Sequence, residues 1–242
     1  MKIVGVIPAR YASSRFPGKP LADICGKPMI YWVYQQAKKV ESLDEVYVAT
    51  DDQRIIDVCK KYDINALLTS SEHKTGTDRL GEVAGMIDAD YYINIQGDEP
   101  MIEPEVIEKI IAKAIDTPYA DVINSMTRIT EESDVYSNTC VKVASGEDGR
   151  LIYLSRSAIP YPKNGQTIPY YKHLGLYALK KDALKWFCTH ERKILEKTED
   201  IEMMRFLENG TPIYIVDVNS NTIAVDRLED IIRVENAMKG IK

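Results

Sequence analysis

The sequence predicts an α/β protein with a mostly parallel, Rossmann-like central sheet and a small antiparallel β-rich lobe. Up to residue 115, short apolar strands alternate with amphipathic helices in units of about 25 residues, a pattern typical of parallel sheets. Beyond residue 115, strand-like segments are separated by turn-rich sequence, which indicates antiparallel additions. Of the 242 residues 45% are hydrophobic, enough to bury a full core. We therefore expect one domain over residues 1–242, with the lobe at about 121–220.

The elements of the parallel part follow one another in a regular order. Residues 3–7 are rich in β-branched side chains and too few for a helix, so they predict a buried strand that Pro8 ends. Residues 27–40 carry apolar residues at helical spacing and predict an amphipathic helix. Asp51 or Asp52 is expected to cap a later helix that runs to Tyr62. The other predicted elements here are strands at Glu45–Thr50, 66–69 and 90–95 and a helix at 103–115.

The loop after the first strand carries three cations, Arg10, Arg15 and Lys19, among small and turn-forming residues. In parallel sheets, ligands bind at the carboxyl ends of the strands. Cations and free backbone N–H groups at such a place suit a triphosphate. The alternative is a solvated turn whose charges only keep the protein soluble.

The order of residues in this loop, R-x-x-S-S-R-x-P-G-K-P-L directly after I-P-A, resembles the signature of the sugar-activating nucleotidyltransferases. Among them it most resembles the 3-deoxy-manno-octulosonate cytidylyltransferase family, which makes CMP-Kdo. The resemblance covers nearly the whole chain and implies a fold of the nucleotide-diphospho-sugar transferase type. It implies that Ala9, Arg10, Ser14 and Lys19 bind the nucleotide. Arg10, Arg15 and Lys19 would also act in catalysis by neutralising phosphate charge.

A second motif, H-x-[ST]-G-T-D-R, occupies residues 73–79, before a predicted helix that continues through Met86. In the family this motif lies against the nucleotide, so the resemblance implies that Thr75 and Arg79 bind it. The alternative is that Thr77 or Asp78 is an ordinary helix cap.

The strand at 90–95 ends in Q-G-D-E-P, which places two carboxylates at the ligand-binding edge of the sheet. Carboxylates beside a triphosphate are costly without a cation. Mg²⁺ prefers one or two carboxylates together with phosphate oxygens and waters. We therefore expect Asp98 to bind Mg²⁺ and Gln96 to lie near the base or sugar. The alternative is that Asp98 caps the following helix.

The second metal ligand is implied by the resemblance alone. Residues 224–226, Ala-Val-Asp, start a predicted last helix through Met238 that resembles the family's GVDTPEDLE. Asp226 would then share the Mg²⁺ with Asp98 and take part in catalysis. Ala224 and Arg227 replace the usual glycine and threonine, and Asp226 as a simple helix N-cap is the alternative.

The predicted lobe contains two further family motifs after strand-like residues 121–127, 139–145 and 150–154. Residues 155–163, SRSAIPYPK, match SR-x-x-IPY, a hairpin that reaches a partner subunit in relatives and so implies a homodimer. Within Tyr171–Lys180, the segment H-L-G-L-Y-A borders the sugar acid in the family, which implies that His173 and Tyr177 contact the acceptor. A packed core histidine is the alternative.

Residues 195–210 are predicted as one helix that Gly210 ends. They align on the family's LE-x-x-E-x-LEQLR-x-LE-x-G, so Glu202 and Arg205 are implied acceptor contacts, with a merely solvated face as the alternative. Met203 stands where the family has glutamine, and a thioether cannot replace the hydrogen bonds of an amide. The acceptor is therefore open between Kdo, 8-amino-Kdo, another ulosonic acid and a phosphorylated small metabolite, with Kdo leading.

Composition excludes several other classes of protein. A formal charge of −6 argues against a nucleic-acid-binding surface, and four scattered cysteines without C-x-x-C suggest neither a zinc site nor a redox pair. With no leader segment and no apolar run long enough to span a membrane, we expect a cytoplasmic protein without a membrane partner. The first loop lacks the G-x-G-x-x-G of nicotinamide dehydrogenases and the G-K-[ST] ending of P-loop enzymes.

The resemblance thus implies an Mg²⁺-dependent cytidylyltransferase. It would transfer CMP from CTP to a hydroxyl of a small anionic acceptor, an acidic sugar, and release pyrophosphate. Such a reaction needs alignment of the hydroxyl with the α-phosphate and neutralisation of charge, rather than covalent catalysis. A nucleotide-binding relative without activity is the alternative, although it would be expected to lose either a carboxylate or the cationic loop.

Overall fold

A computed structural model describes residues 1–12, 16–220 and 222–240. Its strands are β1 (Ile3–Ala9), β2 (Asp23–Ile24), β3 (Lys27–Pro28), β4 (Glu45–Thr50), β5 (Ala66–Leu68), β6 (Tyr91–Asn94), β7 (Val122–Arg128), β8 (Lys142–Ser145), β9 (Leu151–Ser155), β10 (Tyr171–Lys180) and β11 (Tyr214–Asp217). Its α-helices are α1 (Met29–Ala37), α2 (Gln53–Lys61), α3 (Gly76–Met86), α4 (Pro104–Asp116), α5 (Glu132–Tyr136), α6 (Lys181–Thr189), α7 (Ile194–Glu199), α8 (Met204–Glu208) and α9 (Leu228–Met238). A short 3₁₀ helix covers Lys19–Leu21.

The main sheet has the strand order β11-β7-β10-β6-β1-β4-β5. Strand β1 pairs in parallel with both β4 and β6, and β4 pairs in parallel with β5, so their carboxyl ends lie at one edge of the sheet. Strand β10 runs antiparallel to β6, β7 and β8, and β8 pairs antiparallel with β9. The predicted fold class, a mostly parallel sheet with antiparallel additions, is confirmed.

The alternation of side chains along β1 shows why this strand is central. Ile3 and Ile7 pack into a core on one face of the sheet, where α1 and α4 lie, while Val4 and Val6 pack into a second core against α3 and α6. All four side chains are buried, as expected for a strand covered on both faces.

Within the described ranges, no helix is long and apolar enough to cross a membrane.

Pro8 does not end β1, contrary to the prediction. The Val6 carbonyl accepts a hydrogen bond from the Ile95 N–H, so Val6 faces β6, and Pro8, two residues on, faces the same side. The ladder with β6 ends at the pair of Val6 and Asn94. On the side of β6, no strand pairs with Pro8, so no hydrogen bond of the sheet is lost because proline lacks an N–H. Proline is tolerated at such positions of a sheet.

Two helix predictions were also wrong in their bounds. The helix predicted at 195–210 is divided into α7 and α8, because Asp200 takes the left-handed conformation with φ 51° and stops α7. The last helix begins at Leu228, after Asp226, and the backbone N–H groups of Asp226 and Arg227 both donate to the Asp230 carboxylate. Asp226 thus lies in the segment before the helix, with its carboxylate outside the first turn.

Candidate active site

A cleft of about 850 Å³ opens at the carboxyl ends of β1 and β6. Because both strands end at the same edge, residues far apart in the sequence meet there. The sequence-predicted residues that line the cleft are Ala9, Arg10, Lys19, Arg79, Gln96, Asp98, Glu202 and Asp226. The predicted residues Ser14 and Arg15 lie outside the described residues.

At the floor of the cleft, Lys19 lies between two carboxylates, and we name Lys19, Asp98 and Asp226 the cleft cluster. The Lys19 Nζ donates to Asp98 Oδ2 at 2.7 Å and to the Val225 carbonyl at 3.0 Å, and it is 3.8 Å from Asp226 Oδ1. The Val225 N–H donates to the Asp98 carbonyl at 2.8 Å, so the two aspartate segments are joined by backbone. Glycine at position 18, with φ 72°, makes the turn that leads into the 3₁₀ helix of Lys19.

The Q-G-D-E-P loop passes very close to the end of β1. A β-carbon on Gly97 would lie 2.9 Å from the Pro8 carbonyl oxygen, so only glycine allows this approach. Next to it, Glu99 accepts a hydrogen bond from Thr222 at 2.9 Å. Burial, assisted by the charge of Asp98, raises the pKa of Glu99 to about 7.

Arg79 is the most deeply placed cation of the cleft, with 1% of its surface exposed. It donates to the Thr69 hydroxyl, and its Nη2 lies 3.5 Å from Asp51 Oδ1 without a hydrogen-bond partner among the described residues. Burial lowers the pKa of Arg79, an effect that Asp51 opposes. A buried guanidinium with an unsatisfied N–H is suited to an anionic or carbonyl acceptor on a ligand.

Thr75 and Glu202 are both used to hold the start of α3. Thr75 Oγ1 accepts from the Asp78 N–H at 3.1 Å, and Asp78 accepts in return from the Thr75 N–H, which forms a capping box. The Glu202 carboxylate accepts from the Gly76 and Thr77 N–H groups at 3.1 and 3.0 Å. Thr75, implied by the resemblance to bind the nucleotide, is therefore the cap of α3, a role that the alternative gave to Thr77 or Asp78, and its side chain does not line the cleft.

Arg205 is not brought to the cleft. Its guanidinium donates to both oxygens of Glu196, at 2.7 and 2.8 Å, and to Asp78 Oδ1 at 3.2 Å, and we name Asp78, Glu196 and Arg205 the buried cluster. Arg205 and Glu196 are 4% and 0% exposed. Met203, predicted to face the acceptor, is fully buried in the hydrophobic core beside α3 and α6. The missing family glutamine is therefore a change within the core.

A second cavity of about 900 Å³ adjoins the cleft and shares Gln96, Asp98 and Asp226 with it. His173 and Tyr177 of β10 line this cavity, with ring centroids 5.5 Å apart. The His173 Nε2 has no hydrogen-bond partner among the described residues, and burial lowers the pKa of this histidine to about 4. At neutral pH it is an uncharged ring that can still donate or accept one hydrogen bond.

Sequence reasoning gave no site role to three polar residues of this region. Asn94 and Arg156 line the cleft, and Arg156 donates to the backbone carbonyls of Asn138, Glu199 and Asp200. Lys142 is fully buried and also donates to backbone carbonyls, which fixes the loop before β8. Arg156 lies in the SR-x-x-IPY motif. This motif was interpreted from the sequence only as part of a subunit interface, although its arginine could have been considered as a residue of the cleft.

Carboxylates and cations converge at this edge of a mostly parallel sheet, and the fold is that of the nucleotidyltransferases. A family model described as cytidylyltransferase matches residues 4–218. The chain belongs to the family of 3-deoxy-manno-octulosonate cytidylyltransferases, as the sequence motifs predicted.

Relatives and solved structures support this membership over the whole chain. The chain is 42% identical to a 3-deoxy-manno-octulosonate cytidylyltransferase of Koribacter versatilis, covering 99% of this chain and 91% of the relative. It is 40% identical to that of Syntrophotalea carbinolica, with both chains fully covered. A solved structure of CMP:2-keto-3-deoxy-manno-octonic acid synthetase complexed with CTP matches with a TM-score of 0.95, 39% identity and 99% of each chain covered.

A more distant structure shares the fold alone. The 4-diphosphocytidyl-2C-methyl-D-erythritol synthase of Anaerococcus prevotii matches with a TM-score of 0.64 at 18% identity, over 98% of this chain and 99% of its own. The fold is thus shared with a synthase whose name states a different product.

Proposed function

We propose that this protein transfers CMP from CTP to 3-deoxy-manno-octulosonate and releases pyrophosphate. The observation that carries the proposal is the meeting of two cavities, one on each side of Gln96, Asp98 and Asp226. Two reactants bound in adjoining cavities would meet at these residues, which is what a group transfer requires. The solved relative complexed with CTP supports CTP as the nucleotide, and the other relatives support Kdo as the acceptor by their names.

The chain's own cations would carry most of the charge neutralisation. Lys19 and Arg10 line the cleft beside the carboxyl end of β1, where the phosphates of CTP would lie. Arg79, with its unsatisfied Nη2, would contact the nucleotide from the start of α3. Charge that builds on the leaving pyrophosphate would thus meet groups that are already in place.

The two carboxylates of the cleft cluster fit an Mg²⁺ ion whose other ligands would include phosphate oxygens of the substrate. Asp98 and Asp226 would hold the ion, and within the described ranges no group of three or more His, Cys, Asp or Glu side chains is arranged to hold a metal by itself. One or two carboxylates with phosphate oxygens is the usual set for Mg²⁺. When bound, the ion would neutralise phosphate charge and lower the pKa of a coordinated hydroxyl. Lys19 already lies against both carboxylates and would keep them oriented.

The second cavity suits a polyhydroxylated acceptor. Its lining includes hydroxyl, amide and imidazole groups from Thr130, Thr222, Gln96, Tyr177 and His173. The neutral His173 can bond a sugar hydroxyl without introducing a further charge. Because Met203 is buried in the core, the substitution that opened the choice of acceptor does not face this cavity.

A pyrophosphate-release assay tests the proposal. Purified protein is given CTP, Mg²⁺ and either Kdo, 8-amino-Kdo, N-acetylneuraminate or a set of phosphorylated metabolites, with ATP, GTP and UTP as alternative donors and EDTA as the metal control. We expect release with CTP and Kdo that EDTA abolishes. Release with another acid and none with Kdo would overturn the acceptor and leave the cytidylyl transfer standing.

We also propose that the lobe forms a homodimer interface. The SR-x-x-IPY hairpin at residues 155–163 supports this proposal, and Tyr136, Ile152 and Tyr161 are large side chains of the lobe with 63 to 82% of their surface exposed. Light scattering should give twice the 27.4 kDa mass of one chain. Ile152→Lys should shift the protein to monomers, and Met86→Lys, at an exposed position of α3, should not; a monomeric wild type at micromolar concentration would overturn the interface.

A further inference from the structure

Strand β10 is irregular at Gly175, next to the end of β6. The antiparallel register pairs Tyr177 with Asn94, and its continuation places Gly175 opposite Gln96. On the other side, the pairing of β10 with β7 shifts register between Leu174 and Tyr177. Such irregularities re-aim side chains and are frequent beside active sites.

The Gln96 side chain occupies the space that a side chain at position 175 would need. A β-carbon on Gly175 would lie 2.2 Å from Gln96 Nε2, 2.4 Å from its Cγ and 2.6 Å from its Cδ. These distances are far shorter than any van der Waals contact. The φ of Gly175 is outside the left-handed region, so space and not backbone conformation requires glycine here.

The backbone around Gly175 is held in place from both neighbouring strands. Asn94 Nδ2 donates to the Gly175 carbonyl at 2.6 Å, and the Ser125 hydroxyl donates to the Leu176 carbonyl at 2.9 Å. If a side chain were added at position 175, the strand could not move aside without breaking these bonds. The Gln96 side chain would have to move instead.

Gln96 lines both the cleft and the second cavity, at the junction where the two reactants would meet. Its carboxamide has no hydrogen-bond partner among the described residues, and its Cγ, Cδ and Nε2 pack directly over Gly175. An amide held this way keeps its donor and acceptor available to a ligand.

We propose that Gly175 is a positioning residue that keeps the Gln96 carboxamide at the junction of the two cavities, where it orients the acceptor toward the nucleotide. This inference rests on the proposed function and assigns to the glycine of H-L-G-L-Y-A a role that acts only through Gln96. It predicts that a methyl group at position 175 is harmful only while Gln96 has its side chain.

A double-mutant cycle tests this dependence. The variants are Gly175→Ala, Gln96→Ala, the double variant, and Gly85→Ala as a matched control, since no atom lies within 4 Å of a β-carbon on Gly85. We expect Gly175→Ala and Gln96→Ala each to lower kcat/KM for Kdo by roughly tenfold or more, the loss of a hydrogen bond in the transition state. The double variant should be no worse than Gln96→Ala, and Gly85→Ala should match the wild type.

Additive losses in the double variant would overturn the proposal, because damage from a disturbed strand persists when residue 96 is alanine. A Gly175→Ala variant with wild-type kcat/KM would also overturn it. A second readout does not depend on turnover: the side-chain amide resonances of Gln96, assigned by their loss in Gln96→Ala, should shift in Gly175→Ala and not in Gly85→Ala. If the wild type is inactive with Kdo, the proposed function fails, and this spectrum alone decides the position of Gln96.

Discussion

The cleft cluster and the buried cluster are each built from one cation and two carboxylates, yet their surroundings differ. In the cleft cluster, the side chains of Lys19, Asp98 and Asp226 are 16, 26 and 45% exposed. Nearby, polar atoms of Arg79, Asn94 and His173 lack partners among the described residues. In the buried cluster, Arg205 and Glu196 are 4 and 0% exposed and Asp78 is 17% exposed, and the arginine bonds two carboxylates and two backbone carbonyls.

This difference indicates that the cleft cluster belongs to a ligand-binding site and that the buried cluster stabilises the fold. Buried polar atoms are normally satisfied, so unsatisfied atoms around a cleft indicate partners that a ligand brings. The Arg205–Glu196 pair makes its hydrogen bonds within the protein and needs no ligand, and removing one member of a buried pair is strongly destabilising. The two clusters should therefore respond to substitution in opposite ways.

The largest expected effect is on stability in the buried cluster. Arg205→Met removes the two hydrogen bonds of Arg205 to the buried Glu196, which keeps only Arg192 as a cation, with the Arg192 Nε 3.1 Å from Glu196 Oε1, and we expect a loss of about 3 kcal/mol in the free energy of unfolding. The double variant Arg205→Met/Glu196→Leu should recover much of this loss. Urea unfolding followed by circular dichroism measures both. If Arg205→Met instead unfolds like the wild type but loses its affinity for the acceptor, Arg205 is a substrate contact and the comparison is wrong.

In the cleft cluster the expected effect is on turnover. Asp98→Asn removes a proposed ligand of Mg²⁺, and we expect kcat to fall by about 100-fold or more, a barrier increase of roughly 3 kcal/mol. The melting temperature should change little, because Asp98 is partly exposed and Lys19 keeps its bond to the Val225 carbonyl. Asp88→Asn, a change of the same kind at an exposed surface position, should keep wild-type turnover. More than about a tenth of wild-type turnover in Asp98→Asn would exclude an essential role.

The smallest of these effects concerns His173 and pH. Its pKa is about 4 in the folded protein and about 6.5 when unfolded, so below pH 6.5 the unfolded state binds a proton that the folded state does not. Stability should fall with decreasing pH, by about 2 kcal/mol between pH 7 and pH 5 from this residue alone. Urea unfolding of the wild type and His173→Gln at both pH values measures it. An identical pH dependence in the two proteins would show that His173 is not held in its neutral form.

Local sequence was sufficient to predict most of the fold and one part of the site. The short apolar runs and their spacing predicted the parallel sheet, because strands buried on both faces have few other compositions. Since such strands end at a common edge, the loop after β1 and the loop after β6 could be placed together, and Lys19 and Asp98 are indeed 2.7 Å apart. The close approach of Gly97 to Pro8 lies in the Q-G-D-E-P motif after β6 and has the same cause, since both strands end at this edge.

Which polar side chains face the cleft was decided only by tertiary packing. Residues 195–210 read as one amphipathic helix, but the turn at Asp200 changes the direction of the chain, so Glu202 reaches α3 while Met203 and Arg205 point into the interior. The position of Gln96 depends on Gly175, a residue on another strand. Periodicity describes one element at a time, whereas the partner of a buried polar atom comes from a distant element that only the folded chain brings near.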